Sequence, residues 1–107
     1  MKKPLPDCPV ERTLQLIGDK WKNLIIRDLL DGTKRFNELK KSLTGITQKV
    51  LTSKLRDMED SGLLTRKIYP EVPPKVEYSL TNLGSSLFPI LENLAAWGDE
   101  YKKAYSN

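Results

Sequence analysis

The sequence predicts a mainly α-helical domain carrying one small β-hairpin, an α+β arrangement, and three observations carry that reading. Apolar residues recur at helical spacing in four segments before Gly62, most of them bounded by a capping or breaking residue. After Gly62 the period shortens to two, over Leu64–Tyr69 and Val76–Leu80. From Thr81 the helical period returns as far as Tyr105, a long stretch for a chain of 107 residues.

In the first helix Val10, Leu14 and Ile17 share a face, Pro9 suits the first turn, and Gly18 closes the segment. Asp19 is an N-cap for a second helix whose apolar side is Trp21, Leu24, Ile25, Leu29 and Leu30, ended by Gly32. Phe36, Leu39 and Leu43 mark a short third helix, and Thr44-Gly45-Ile46 is a tight turn. Thr47 then caps a fourth helix that buries Val50, Leu51, Leu55 and Met58 and ends at Ser61-Gly62. The two strands flank Pro70-Glu71-Val72-Pro73-Pro74, which cannot be regular strand or helix and so forms a stiff hairpin tip. Thr81 caps one last long helix, with Pro89 inside it and expected to bend it.

Composition narrows the chemistry. There is no His, which removes the usual proton shuttle near neutral pH and the commonest metal ligand. The single Cys forms no intrachain disulfide and no thiolate cluster. No acid or base stands at a telling position in an apolar segment, so no enzyme, metal or cofactor is expected. The longest aliphatic run is Leu24-Ile25-Ile26, and the first residues pass from charge straight into prolines. Neither a membrane span nor a secretory signal is expected, and the reading is one cytoplasmic domain over 1–107, with a core of about 8–98 and an arm at 1–7.

The net charge of +4 is unevenly placed, because residues 33–56 alone carry seven basic groups against Glu38. Such a local excess suits a polyanion, and nucleic acid is the commonest one for a soluble domain. The order of elements supplies the frame: two helices joined by a short turn, then a hairpin, then a long helix, is a winged helix-turn-helix. In that motif the second helix of the pair enters the major groove. Here its polar stripe is Lys49, Thr52, Ser53 and Arg56, opposite the apolar residues, with Thr47 and Gln48 at the leading end. Arg66, Lys67 and Lys75 of the hairpin and Lys34, Arg35, Lys40 and Lys41 around the third helix are candidate backbone contacts.

The same residues carry a resemblance. Cys8-Pro9-Val10-Glu11, Ile17-Gly18-Asp19-Lys20-Trp21-Lys22, Phe36-Asn37-Glu38-Leu39, Ile46-Thr47-Gln48-Lys49-Val50-Leu51-Thr52, Tyr69-Pro70-Glu71-Val72-Pro73-Pro74-Lys75-Val76-Glu77-Tyr78 and Leu80-Thr81-Asn82-Leu83-Gly84 resemble the HxlR-type bacterial transcriptional regulators, which are MarR-like. The similarity runs from about Cys8 to Gly98. It implies a homodimeric regulator, activating or repressing, with helix four as recognition helix and the terminal helices as the dimer interface. On this chain those would be Val10, Leu14, Leu87, Leu91, Leu94, Trp97 and Tyr101. The last helix agrees by composition, since it offers more apolar and aromatic surface than one small domain readily buries.

Cys8 stands at the start of helix one, where the helix dipole favours a reactive thiol, Asp7 and Glu11 oppose it, and Arg12 partly offsets them. Members of the resembled family sense oxidants or electrophiles through a cysteine at this position, so Cys8 is a candidate redox sensor beside the plainer reading of an inert thiol. A small-molecule effector is also open. The alternative function, from another class, is a winged-helix module for protein or RNA contact without operator specificity. Such a surface would expose apolar anchors on helix four, where this sequence has Thr, Gln, Lys, Ser and Arg.

Overall fold

The computed structural model describes residues 4–105, so residues 1–3 of the expected arm and 106–107 lie outside the described residues. The chain runs α1 (Pro9–Ile17), α2 (Lys20–Leu30), β1 (Lys34–Arg35), α3 (Phe36–Ser42), α4 (Gln48–Asp60), β2 (Leu64–Tyr69), β3 (Lys75–Leu80), α5 (Asn82–Ser85) and α6 (Phe88–Tyr105). The expected caps form. Asp19 accepts the Lys22 N–H at 3.0 Å, Thr47 accepts that of Val50 at 3.1 Å, and Thr81 accepts that of Gly84 at 3.0 Å. Gly45, in the turn between α3 and α4, sits at φ 91°, where a side chain would be strained.

The core is one cluster. Ile25, Ile26 and Leu29 of α2, Leu39 and Leu43 around α3, and Leu51, Leu55 and Met58 of α4 are all buried, and Leu63, Leu64 and Tyr78 close it from the sheet. Most of these stand on the apolar faces that the helical period selects, but Ile26, left off the expected face of α2, is buried, while Trp21, Leu24, Leu30 and Val50 are only partly so. Burial of this cluster is the main force holding α3 and α4 at a fixed angle.

Two features depart from the sequence reading. The hairpin gains a third strand: β1 pairs antiparallel with β3, giving the order β1-β3-β2, with Lys34 opposite Tyr78 and Arg35 opposite Glu77. A two-residue strand has no period to detect and exists only through its partner. The terminal helix is not one bent rod. It breaks at Ser86-Leu87 into α5 and α6, and Pro89 stands in the first turn of α6, where its missing N–H costs no hydrogen bond. Gly84 lets α5 pack closely on Leu63 and Leu80. A Cβ there would collide with the Leu63 carbonyl oxygen and lie 3.1 Å from Leu80 Cδ2. Among the described residues, no helix is long and apolar enough to cross a membrane.

Candidate nucleic-acid interface

The stripe expected on helix four is formed. Gln48, Lys49, Thr52, Ser53 and Arg56 line one open groove along α4, continued at its C-terminal end by Asp57 and Asp60. Thr47 is exposed beside them, its oxygen already engaged by the Val50 N–H. The stripe carries donors and acceptors of the kinds that read base edges, and its acidic end makes the N-terminal half the part suited to approach phosphates.

Ion pairs hold α4 from two sides. Asp19, at the N-cap of α2, pairs with Lys54, and Lys22 lies 3.8 Å from Asp57. Burial by itself would raise the Asp19 carboxyl, but the Lys54 ammonium and the N–H groups of Lys22 and Trp21 outweigh it and hold it below the ordinary carboxylate range. On the other side Arg66 of β2 pairs with Glu59 at 3.3 Å. Sequence reasoning read Asp19 only as a cap and counted Lys54 as part of a free basic block. Their partnership joins residues 35 positions apart, which no local pattern reveals.

The candidate backbone contacts do not form one surface. Cross-strand partners share a face, so Lys34 and Arg66 lie on the side of the buried Tyr78, while Arg35, Lys67 and Lys75 share the opposite face with Glu77 and Tyr69. Burial raises the Tyr78 phenol, and Arg66, Glu59 and Arg56 are the charges that act on it. Arg66 therefore belongs with the C-terminal half of α4. Lys34 lines a depression with Asp28, Asp31 and Glu38, where acidic groups surround it. Lys40 and Lys41 are exposed in the last turn of α3.

The terminal helices bear an uncovered apolar face. Val10 and Leu14 of α1 and Leu94, Trp97 and Tyr101 of α6 are exposed, together with Ile90 and Tyr105. Trp97, Tyr101 and Tyr105 stack in sequence, with ring centroids 5.5 and 5.1 Å apart. Leu87 and Leu91, grouped with them in the sequence reading, pack partly against the chain's own core. Cys8 is exposed at the N-cap of α1.

The family model described as HxlR-like helix-turn-helix matches residues 16–106. The chain belongs to that family. Among curated relatives of this HxlR-like chain, the HTH-type transcriptional regulator YdeP of Bacillus subtilis is 50% identical over 95 residues, covering 89% of this chain and 74% of YdeP. The redox regulator HypR in its reduced form superposes with a TM-score of 0.87 at 44% identity, covering 92% of this chain and 98% of HypR. A MarR-family regulator from Porphyromonas gingivalis gives 0.84 at 41% identity, covering 94% and 98%. The HxlR-like chain is thus a DNA-binding transcriptional regulator and not an enzyme, built on a winged helix-turn-helix.

Proposed function

We propose that this regulator acts in the cytoplasm as a homodimer on a pseudo-palindromic duplex operator, each protomer setting α4 into the major groove and its wing against the flanking backbone. The observation that carries this reading is the stripe of Gln48, Lys49, Thr52, Ser53 and Arg56, which is open along α4 and has no apolar anchor. Gln48 pairs with adenine and Arg56 with guanine, the bidentate contacts that geometry favours, and Thr52 and Ser53 serve base or phosphate. Lys40 and Lys41 fix the register through the backbone. The whole of 1–107 works as one DNA-binding unit.

The uncovered face supports dimerisation. Val10, Leu14, Leu94, Trp97 and Tyr101 are too large an apolar patch to leave in water, and a second copy is the partner that brings two recognition helices about 34 Å apart. Leu87 and Leu91 support that interface from beneath. Cys8, exposed and without a second cysteine in the chain, answers an oxidant or electrophile by a Cys8–Cys8 link across the dimer, a mixed disulfide or alkylation. The redox regulator HypR among the structural relatives supports this use. Selection of bound duplexes from a random library at physiological salt tests the reading. An enriched inverted repeat is the expected result, and binding without enrichment that vanishes as salt rises overturns it.

A further inference from the structure

The wing ends in an arrangement that neither the fold nor the recognition stripe requires. Tyr69 and Lys75 form the last pair of the β2–β3 ladder before the Pro70–Pro74 tip, and Lys67 stands two residues back on the same face. Both ammonium groups lie over the Tyr69 ring, Lys75 Nζ 4.3 Å and Lys67 Nζ 4.9 Å from its centroid. Two like charges drawn to one ring repel each other. The ring's negative face offsets part of that repulsion, and Glu77, 3.7 Å from Lys75 and directly opposite Lys67, offsets more. The tip beyond this pair carries only one charge, on Glu71, so the cationic end of the wing is this three-residue group. The wing leaves α4 across the short Ser61–Leu63 link and is tied back to it by the Arg66–Glu59 pair, so the group keeps a set distance from the recognition stripe.

We propose that Tyr69 is a positioning residue for DNA binding, gathering the Lys67 and Lys75 side chains over its ring into a two-ammonium clamp for duplex phosphates beside the half-site. The proposal rests on the duplex-DNA reading above. A long lysine free in water loses rotamer freedom when it docks, and a ring that already confines it removes part of that cost. The phenolic hydroxyl has no part in this. The face of the ring does the work, so Phe serves in place of Tyr, and Leu, apolar but smaller and without a π-system, does not.

The test is duplex binding by the full chain over a range of salt, using the operator selected by the wild-type protein. Tyr69→Leu is expected to weaken binding by about threefold for each docked wing and to flatten the salt dependence, while Tyr69→Phe matches wild type. Lys67→Gln with Lys75→Gln flattens the salt slope by up to about 1.8 for each wing, and adding Tyr69→Leu to that pair costs nothing more. A Tyr69→Leu protein with wild-type affinity and slope overturns the proposal. So does a Tyr69→Leu loss that persists in full on the double-glutamine background, or one seen only as a lower thermal midpoint with the slope intact. Wild-type protein that selects no duplex overturns the underlying reading instead, and that outcome is recognised before any variant is made.

Discussion

Asp19 performs two tasks with one carboxylate, and Asp19→Asn and Asp19→Ala separate them. Its oxygen accepts the Lys22 N–H at 3.0 Å as the cap of α2, and its charge partners Lys54 of α4. Asparagine keeps the cap and loses the charge, whereas alanine loses both. The Lys54 and Asp19 side chains are 26% and 33% exposed, between a surface pair and a buried one, so the pair contributes about 1 kcal/mol. The cap contributes about 1 kcal/mol as well. Asp19→Asn should therefore cost about 1 kcal/mol and Asp19→Ala about 2 kcal/mol, which for a domain of this size lowers the thermal midpoint by roughly 5 and 10 °C.

The pH dependence carries the sign of the shift. Because the folded carboxyl is held below its ordinary value of 3.8, the pair stabilises the protein fully above that value. The contribution is lost as pH falls through the depressed folded value. The assay is thermal unfolding by circular dichroism at fixed protein concentration, at neutral pH and in acid. The gap between wild type and Asp19→Asn should be widest at neutral pH and close as pH falls through the depressed folded value. Equal midpoints for the two variants at neutral pH would refute the division of tasks, and a gap unchanged in acid would refute the ion pair.

The remaining predictions concern the interface and its control. Arg56→Ala and Gln48→Ala should each cost about 1–3 kcal/mol in operator binding and relax preference at one base position, measured by competition with single-base variants. Lys41→Ala should instead weaken all duplexes alike and reduce the salt slope by about 0.9 for each protomer docked. Cys8→Ser should bind the operator as wild type does but no longer respond to diamide, and an unchanged diamide response would remove Cys8 from the mechanism. Trp97→Ala with Tyr101→Ala should weaken self-association by about 2 kcal/mol or more, seen as a lower mass by light scattering at fixed concentration, with the monomer still folded.

Much of the site was legible in the sequence because its signals are local. Thr47 announces the start of α4, and the i, i+3, i+4, i+7 spacing from Lys49 to Arg56 fixes which side chains share a stripe, whatever packs behind it. The hairpin was legible for a similar reason, since alternation over Val76–Leu80 and the prolines of the tip need no knowledge of distant residues. The terminal helix was legible in kind but not in its break. Helical spacing runs unbroken through Ser86-Leu87, and Pro89 reads equally as a bend within one helix or as the first turn of a second.

By itself, then, the sequence determined the type and order of the main elements, the polar stripe along α4 and the surplus of apolar surface on the last helix, all set by periodicity and capping within a turn or two. Tertiary structure decided what those charges and apolar groups meet. It made β1 a strand through β3, turned Leu87 and Leu91 inward, engaged Lys54 with Asp19 and Arg66 with Glu59, and set Lys67 and Lys75 together over Tyr69. Each of these depends on a partner brought near by the closing of the core, and the free energy of such a contact belongs to the pair and not to either residue's place in the chain.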